Sequence, residues 1–244
     1  MCGSDGDFTM RCRSYKPTPL EQLANVVSHG IAIAPSLWAI WALSENTASW
    51  GQYFAVLVFG VATAALFIMS TAYHALELLL SPEYRYLRYW FHVSDRATIY
   101  VYIAASYTPW LFLRDSGLFT CCMKYLVWCF AISGVLYQCK YHERFKTLET
   151  CLYILVGGIP ASSWIYMNNV GGLFLLLSCA FSYISGVVFF KCDGKIPFAH
   201  AIWHVHVLLG CVLQHVAVHV HLLGCEDDGC STAALPLRVL SEEL

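Results

Sequence analysis

Seven nearly uninterrupted apolar runs, at about 24–44, 53–76, 93–113, 119–139, 150–167, 171–190 and 198–223, constrain this chain more than any motif in it. A helix rising 1.5 Å per residue needs about 20 apolar residues to cross about 30 Å of hydrocarbon, and each run is of that order. Polar breaks such as "SENTASWGQ" and "MNNVGG" separate them. Strands fit poorly, because a membrane barrel alternates apolar and polar residues over segments of about 10. Composition agrees: 58% of the 244 residues are hydrophobic and 12% charged, against about 25% charged in a soluble domain. The expectation is an all-α, seven-transmembrane helix bundle over 24–223, flanked by segments 1–23 and 224–244 that are too short to bury cores of their own.

Orientation follows from the basic residues, which collect in cytoplasmic loops. Eleven Lys and Arg, among them Arg85, Arg96, Arg144 and Lys195, fall on the N-terminal side of the membrane. Three, Arg114, Lys124 and Arg238, fall on the other. The N-terminus is therefore expected in the cytosol and the C-terminus outside or in a lumen, the reverse of a G-protein-coupled receptor. In "SDRATIY" at 94–100, Asp95 and Arg96 open the third span instead of closing it. The likeness to the Asp-Arg-Tyr signature of those receptors is thus accidental. No cleavable signal peptide is expected, since the first apolar run is of spanning length and does not follow a short charged segment. Cys2 after Met1 excludes N-myristoylation and leaves Cys2 and Cys12 as candidate acylation sites.

With odd spans starting and even spans ending at the cytosolic face, four ionisable residues arrive at one membrane level: His74, Asp95, His200 and His204. Such a cluster is costly in a bilayer and points to function. His200 and His204 stand at i and i+4, so both imidazoles face one point. Three histidines with an open fourth position are what a catalytic zinc requires, whereas a structural zinc wants a fourth protein ligand. Asp95 reads either as a partner for water at the metal or as an interfacial helix cap. Ser70, one turn from His74, is either a group supporting the site or a hydroxyl bonded back to its own helix.

Glu21, Asn25 and His29 recur every four residues in "EQLANVVSH". They either line the same pocket or form the polar face of an ordinary helix start. His215 and His219 repeat the i, i+4 spacing, but about 16 Å farther along the helix, too far to share the first site. With His221 they read as interfacial, as do His92 and His142, and His206 reads as a packing or interfacial residue on the far helix face. Pro35, Pro109 and Pro160 fall inside spans, and "VGGIP" at 156–160 is expected to loosen span 5 beside a lipid cavity. The twelve cysteines form no C-x-x-C pattern, and a bridge between Cys225 and Cys230 is conceivable. No basic aromatic groove suggests nucleic acid.

"LEQLANVVSHGIA", "STAYH", "FHVSDRATIYVYIAASYTPW" and "IPFAHAIWHVHV" resemble the motifs of the progestin and adipoQ receptor family, also called the hemolysin III family. "AASYTPWL", "YHERFK" and "GVVFFKCDGKIPFAHAIWH" look closest to its monocyte-to-macrophage differentiation factor branch. The resemblance implies that His74, His200 and His204 bind zinc, that Asp95 holds water at the metal, and that Ser70 supports it. The long soluble N-terminal domain of the adiponectin receptors has no counterpart here, so binding of that hormone is not expected.

Zinc on three neutral imidazoles acidifies water and polarises carbonyls, which leads to amide or ester hydrolysis. A site within the cytosolic leaflet favours a lipid substrate, and the resemblance implies ceramide-type amides. The other reading is a receptor or signalling scaffold with structural zinc, binding a sterol, an acyl chain or a protein partner; for either, the resemblance implies Golgi, endosomal-lysosomal or plasma membranes. Channel formation finds no support, since no charged stripe crosses the bilayer.

Overall fold

The computed structural model describes residues 15–114, 117–166 and 170–223. Cys2, Cys12, the Cys225–Cys230 pair and the tail lie outside the described residues. Among these residues there are seven long helices and no strand: α1 (Pro19–Glu45), α2 (Trp50–Leu79), α3 (Arg85–Leu113), α4 (Gly117–Tyr141), α5 (Lys146–Ala161), α6 (Val170–Lys191) and α7 (Ala199–Val218). A 3-10 turn extends α5 over Ser162–Tyr166, and a π-turn extends α7 over His219–Leu223. Six of the helices are long and apolar enough to cross a membrane. The exception is α3, the helix that carries Arg88, Asp95 and Arg96.

The helices outrun the apolar runs because capping residues fix their starts. Thr18 caps α1, accepting from the Glu21 backbone N–H while the Glu21 carboxylate reaches back to the Thr18 N–H, with Pro19 in the first turn. Ser49 caps α2 in the same sense, accepting from Gln52. Phe198, ahead of α7, sits in the left-handed region at φ 58°.

Burial is inverted relative to a water-soluble bundle. Trp38, Trp41, Phe181, Ile184 and Val212 face outward, while Asn25, His29, Ser70, His74 and Gln138 are buried. Two apolar clusters fill the interior. One is built on Phe59, Phe67, Tyr102 and Trp110, the other on Tyr100, Leu111, Val127 and Val156. Close packing depends on Gly134 and Gly210, where a Cβ would overlap the Tyr100 and Tyr183 rings.

Consecutive helices from α1 to α4 pack on one another, α6 packs on α7, and α7 returns to α1. α5 leans on α3 and α4 but packs little on α6. The ring is therefore loose at the α5–α6 seam. Gly157 and Gly158 of α5 have open space where a Cβ would project, so the cavity expected beside "VGGIP" is present there.

Candidate metal centre

α2 delivers Ser70 and His74 in its last turns, α3 delivers Asp95 early, and α7 delivers His200 and His204 in its first two turns. The ligand nitrogens of His74, His200 and His204 lie within 4.8 Å of one another. Ring centroids are 5.1 Å apart for His74 and His200, 5.1 Å for His74 and His204, and 4.7 Å for His200 and His204.

Two of the rings have their other nitrogen hydrogen-bonded outward. His74 Nδ1 donates to the Gln22 Oε1 at 2.8 Å, which leaves Nε2 a lone pair that is buried and without a partner. His204 Nδ1 lies 2.9 Å from the Ser28 hydroxyl, and His200 Nδ1 stands 3.7 Å from an Asp193 carboxylate oxygen. Burial pushes the Asp193 carboxyl above its ordinary range. Three clustered imidazoles, two of them oriented by outer hydrogen bonds and one with a buried orphan nitrogen, fit a zinc ion.

His29 stands beside this cluster and not in it. Its ring stacks on His204 with centroids 3.7 Å apart, and its Nδ1 is bonded to the Ser70 hydroxyl at 2.8 Å. Ser70 and Asp95 line the cavity together. Asp95 therefore faces the site, while its neighbour Arg96 turns to Glu149 at 3.2 Å and lies over the Phe190 ring.

The expected stripe of Glu21, Asn25 and His29 divides. His29 lines the cavity, while Glu21 and Asn25 are buried but absent from its wall. Glu21 is spent on bonds from the Tyr15 hydroxyl at 2.6 Å, the Thr18 N–H at 2.8 Å and the Phe198 N–H at 3.2 Å. The Glu21 carboxylate in turn pushes the Tyr15 phenol up to about 12. Glu21 thus fixes the start of α7 two residues before His200, and Thr18-x-x-Glu21 was the sequence signal for it. Gln22, Ser28 and Asp193 had no such signal, since single polar residues near helix ends are common.

The outlying histidines sort themselves. His206 bonds the Ile202 carbonyl and packs on Phe189. His92 stacks on Tyr73 and meets His142 edge-on. His215, expected at the interface, instead packs on Phe59 inside the bundle, with Nδ1 on the Cys211 carbonyl. An apolar pocket existed for it because Phe59 is wholly buried on α2.

A cavity of about 300 Å³ leads away from the cluster. His29, Ser70, Asp95, Arg96, His200 and His204 line one end, Tyr102, Tyr183 and Val207 the middle, and Trp110, Trp164 and Gln214 the other end.

Residues 18–215 match the haemolysin-III-related family. The chain belongs to it. Human "Monocyte to macrophage differentiation factor" is 38% identical over 214 residues, covering 88% of this chain and 90% of that protein. "Hemolysin-3" of Bacillus cereus is 32% identical over 209 residues, 83% of this chain and 92% of that protein. The "Hemolysin-3 homolog" of Bacillus subtilis is 31% identical over 196 residues, 78% and 89% respectively. Family and apolar helices together make this haemolysin-III-related chain a multi-pass integral membrane protein. The family match runs from the Thr18 cap to His215 and so includes every residue of the histidine cluster.

Proposed function

We propose that this protein is a zinc-dependent lipid amide hydrolase, ceramidase-like in substrate class. The observation that carries the reading is the His74, His200 and His204 cluster beside one end of an apolar cavity that His200, His204, Asp95 and Ser70 line. Bound zinc would supply an electrophile for the amide carbonyl and acidified water at neutral pH. His74, His200 and His204 would hold it. Asp95 accepts the proton of the attacking water at its carboxylate and returns it to the leaving nitrogen. Water oxygen bonds to the carbonyl carbon, the C–N bond breaks, and a fatty acid and a free sphingoid base result. Ser70, itself held by His29, supports this end of the cavity beside Asp95.

In this reading all seven helices span the bilayer, α3 included, because Asp95 faces the cavity and Arg96 pairs with Glu149. The N-terminus lies in the cytosol, in accord with the Lys and Arg asymmetry. The loose α5–α6 seam lets a membrane lipid reach the cavity sideways. The sphingoid product ties the reaction to signalling in Golgi, endosomal-lysosomal or plasma membranes.

The test is release of sphingoid base from ceramides by purified protein and by its His204→Ala form, with metal content measured on both. Zinc in the parent and release that is lost in the variant are expected. Bound zinc with no release across several acyl lengths would overturn the hydrolase reading and leave a receptor or scaffold, for a sterol, acyl chain or signalling protein, with zinc as its structural ion.

A further inference from the structure

Among the described residues, Arg96 is the one Lys or Arg on the cavity wall. Its ion pair with Glu149 occupies Nη1 alone, at 3.2 Å. Nε and Nη2, which form the other edge of the guanidinium fork, have no hydrogen-bond partner among the described residues, yet both keep accessible surface. The pair is lopsided. The Arg96 side chain is 16% exposed and lines the cavity, whereas that of Glu149 is 5% exposed and is absent from the wall. The guanidinium carbon stands 4.7 Å from the centroid of the Phe190 ring, itself part of the wall. His200 meets the same ring with centroids 5.9 Å apart. Phe190 thus links the guanidinium to the histidine cluster.

Glu149 belongs to the first turn of α5 and Phe190 to the last turn of α6. Arg96 therefore stands at one end of the loose α5–α6 seam, which in the reading above is the level of the cytosolic headgroups. From there the wall runs on past Tyr102 toward Trp110 and is almost wholly apolar. A lipid entering sideways lays its acyl chain along that stretch and brings its headgroup to the arginine. The planar fork of a guanidinium suits phosphate and carboxylate, which accept from two parallel N–H groups at once. Glu149 engages one side of the fork, and a neutral headgroup would leave the other side unused.

Resting on the lipid hydrolase reading above, we infer that the cavity selects amide lipids whose amine part carries an anionic oxygen group, phosphate or carboxylate, a few bonds from the amide nitrogen. Arg96 is the residue that determines this specificity. It recognises the headgroup and leaves the amide to the histidine end.

The experiment is calorimetric titration of the purified full chain in neutral detergent, in the cold, with recovery of intact ligand checked by mass spectrometry. Two matched pairs are compared: N-hexanoyl ceramide with its 1-phosphate, and N-palmitoylethanolamine with N-palmitoylglycine. In at least one pair the anionic member is expected to bind about tenfold tighter or more, as a charge-assisted bidentate contact requires. The pair with the larger ratio tells phosphate from carboxylate. Arg96→Met combined with Glu149→Leu removes both charges together and should bring the ratio to one, while affinity for the neutral member, which also reports folding, is kept. Arg96→Lys keeps an ion pair with Glu149 but not the fork, and should reduce the ratio severalfold. Equal affinities within both pairs, or a ratio that either variant leaves undiminished, would overturn this inference alone. A parent that binds none of the four lipids would overturn the lipid reading with it, and a parent that shows the preference but hydrolyses no amide would overturn the hydrolase reading while the headgroup site stands.

Discussion

The Gln22 side chain of α1 accepts a 2.8 Å hydrogen bond from His74 Nδ1 of α2, fixing which nitrogen of that ring faces the cluster. Outer partners of this kind set ligand tautomer and angle, and their loss costs about 10–100-fold in metal affinity. Gln22→Leu should therefore keep the fold and lose zinc affinity in that range. Competition against a chromophoric chelator reads it, and unchanged affinity would remove Gln22 from the site.

Ser70 and Asp95 stand apart from the ligand nitrogens and should separate chemistry from metal binding. Asp95→Asn is expected to retain zinc and lower the rate of amide hydrolysis about 10²–10⁴-fold. Ser70→Ala, which frees His29 Nδ1, should show a smaller loss in kcat with zinc again retained. If Asp95→Asn instead empties the site, the carboxylate is a ligand and the proton-transfer role fails.

Much of this site was legible because two periodicities sufficed. The i, i+4 spacing of His200 and His204, and the alternation of helix direction, put His74, Asp95 and Ser70 at one end of the bundle from the sequence alone. The α1 side was less legible. A stripe of every fourth residue picks Glu21, Asn25 and His29, yet a turn of 3.6 residues puts Gln22 on the face of His29, seven residues on. Glu21 was diverted to the cap of its own helix. His215 looked interfacial because distance along α7 says nothing of what α2 presents at that level, which is Phe59.

Arg96 and Glu149 form the ion pair behind the site, at 3.2 Å with side chains 16% and 5% exposed. The Tyr153 hydroxyl donates to the same carboxylate at 3.0 Å. Removing one member of a buried pair strands the other, at about 3–5 kcal/mol. Glu149→Gln should lower thermal stability accordingly. Arg96→Met combined with Glu149→Leu should recover much of the loss, because neither charge then remains buried alone. A single variant as stable as the parent would mean that solvent reaches the pair.

Gly158 gives the sharpest separation of fold from function. A Cβ there meets nothing within 4 Å, and the residue lines the cavity at the loose α5–α6 seam. Gly158→Leu replaces the poorest non-proline helix former with a good one, a gain of about 0.8 kcal/mol on propensity alone. Its side chain then fills space that an acyl chain would use. Thermal stability should hold or rise and zinc content should stay constant, while turnover of long-chain ceramide falls at least tenfold and that of short-chain analogues falls less. Gly210→Ala provides the contrast: its Cβ overlaps the Tyr183 ring, so it should destabilise by about 1–3 kcal/mol through overpacking. Full long-chain turnover by Gly158→Leu would show that the acyl chain does not occupy this cavity.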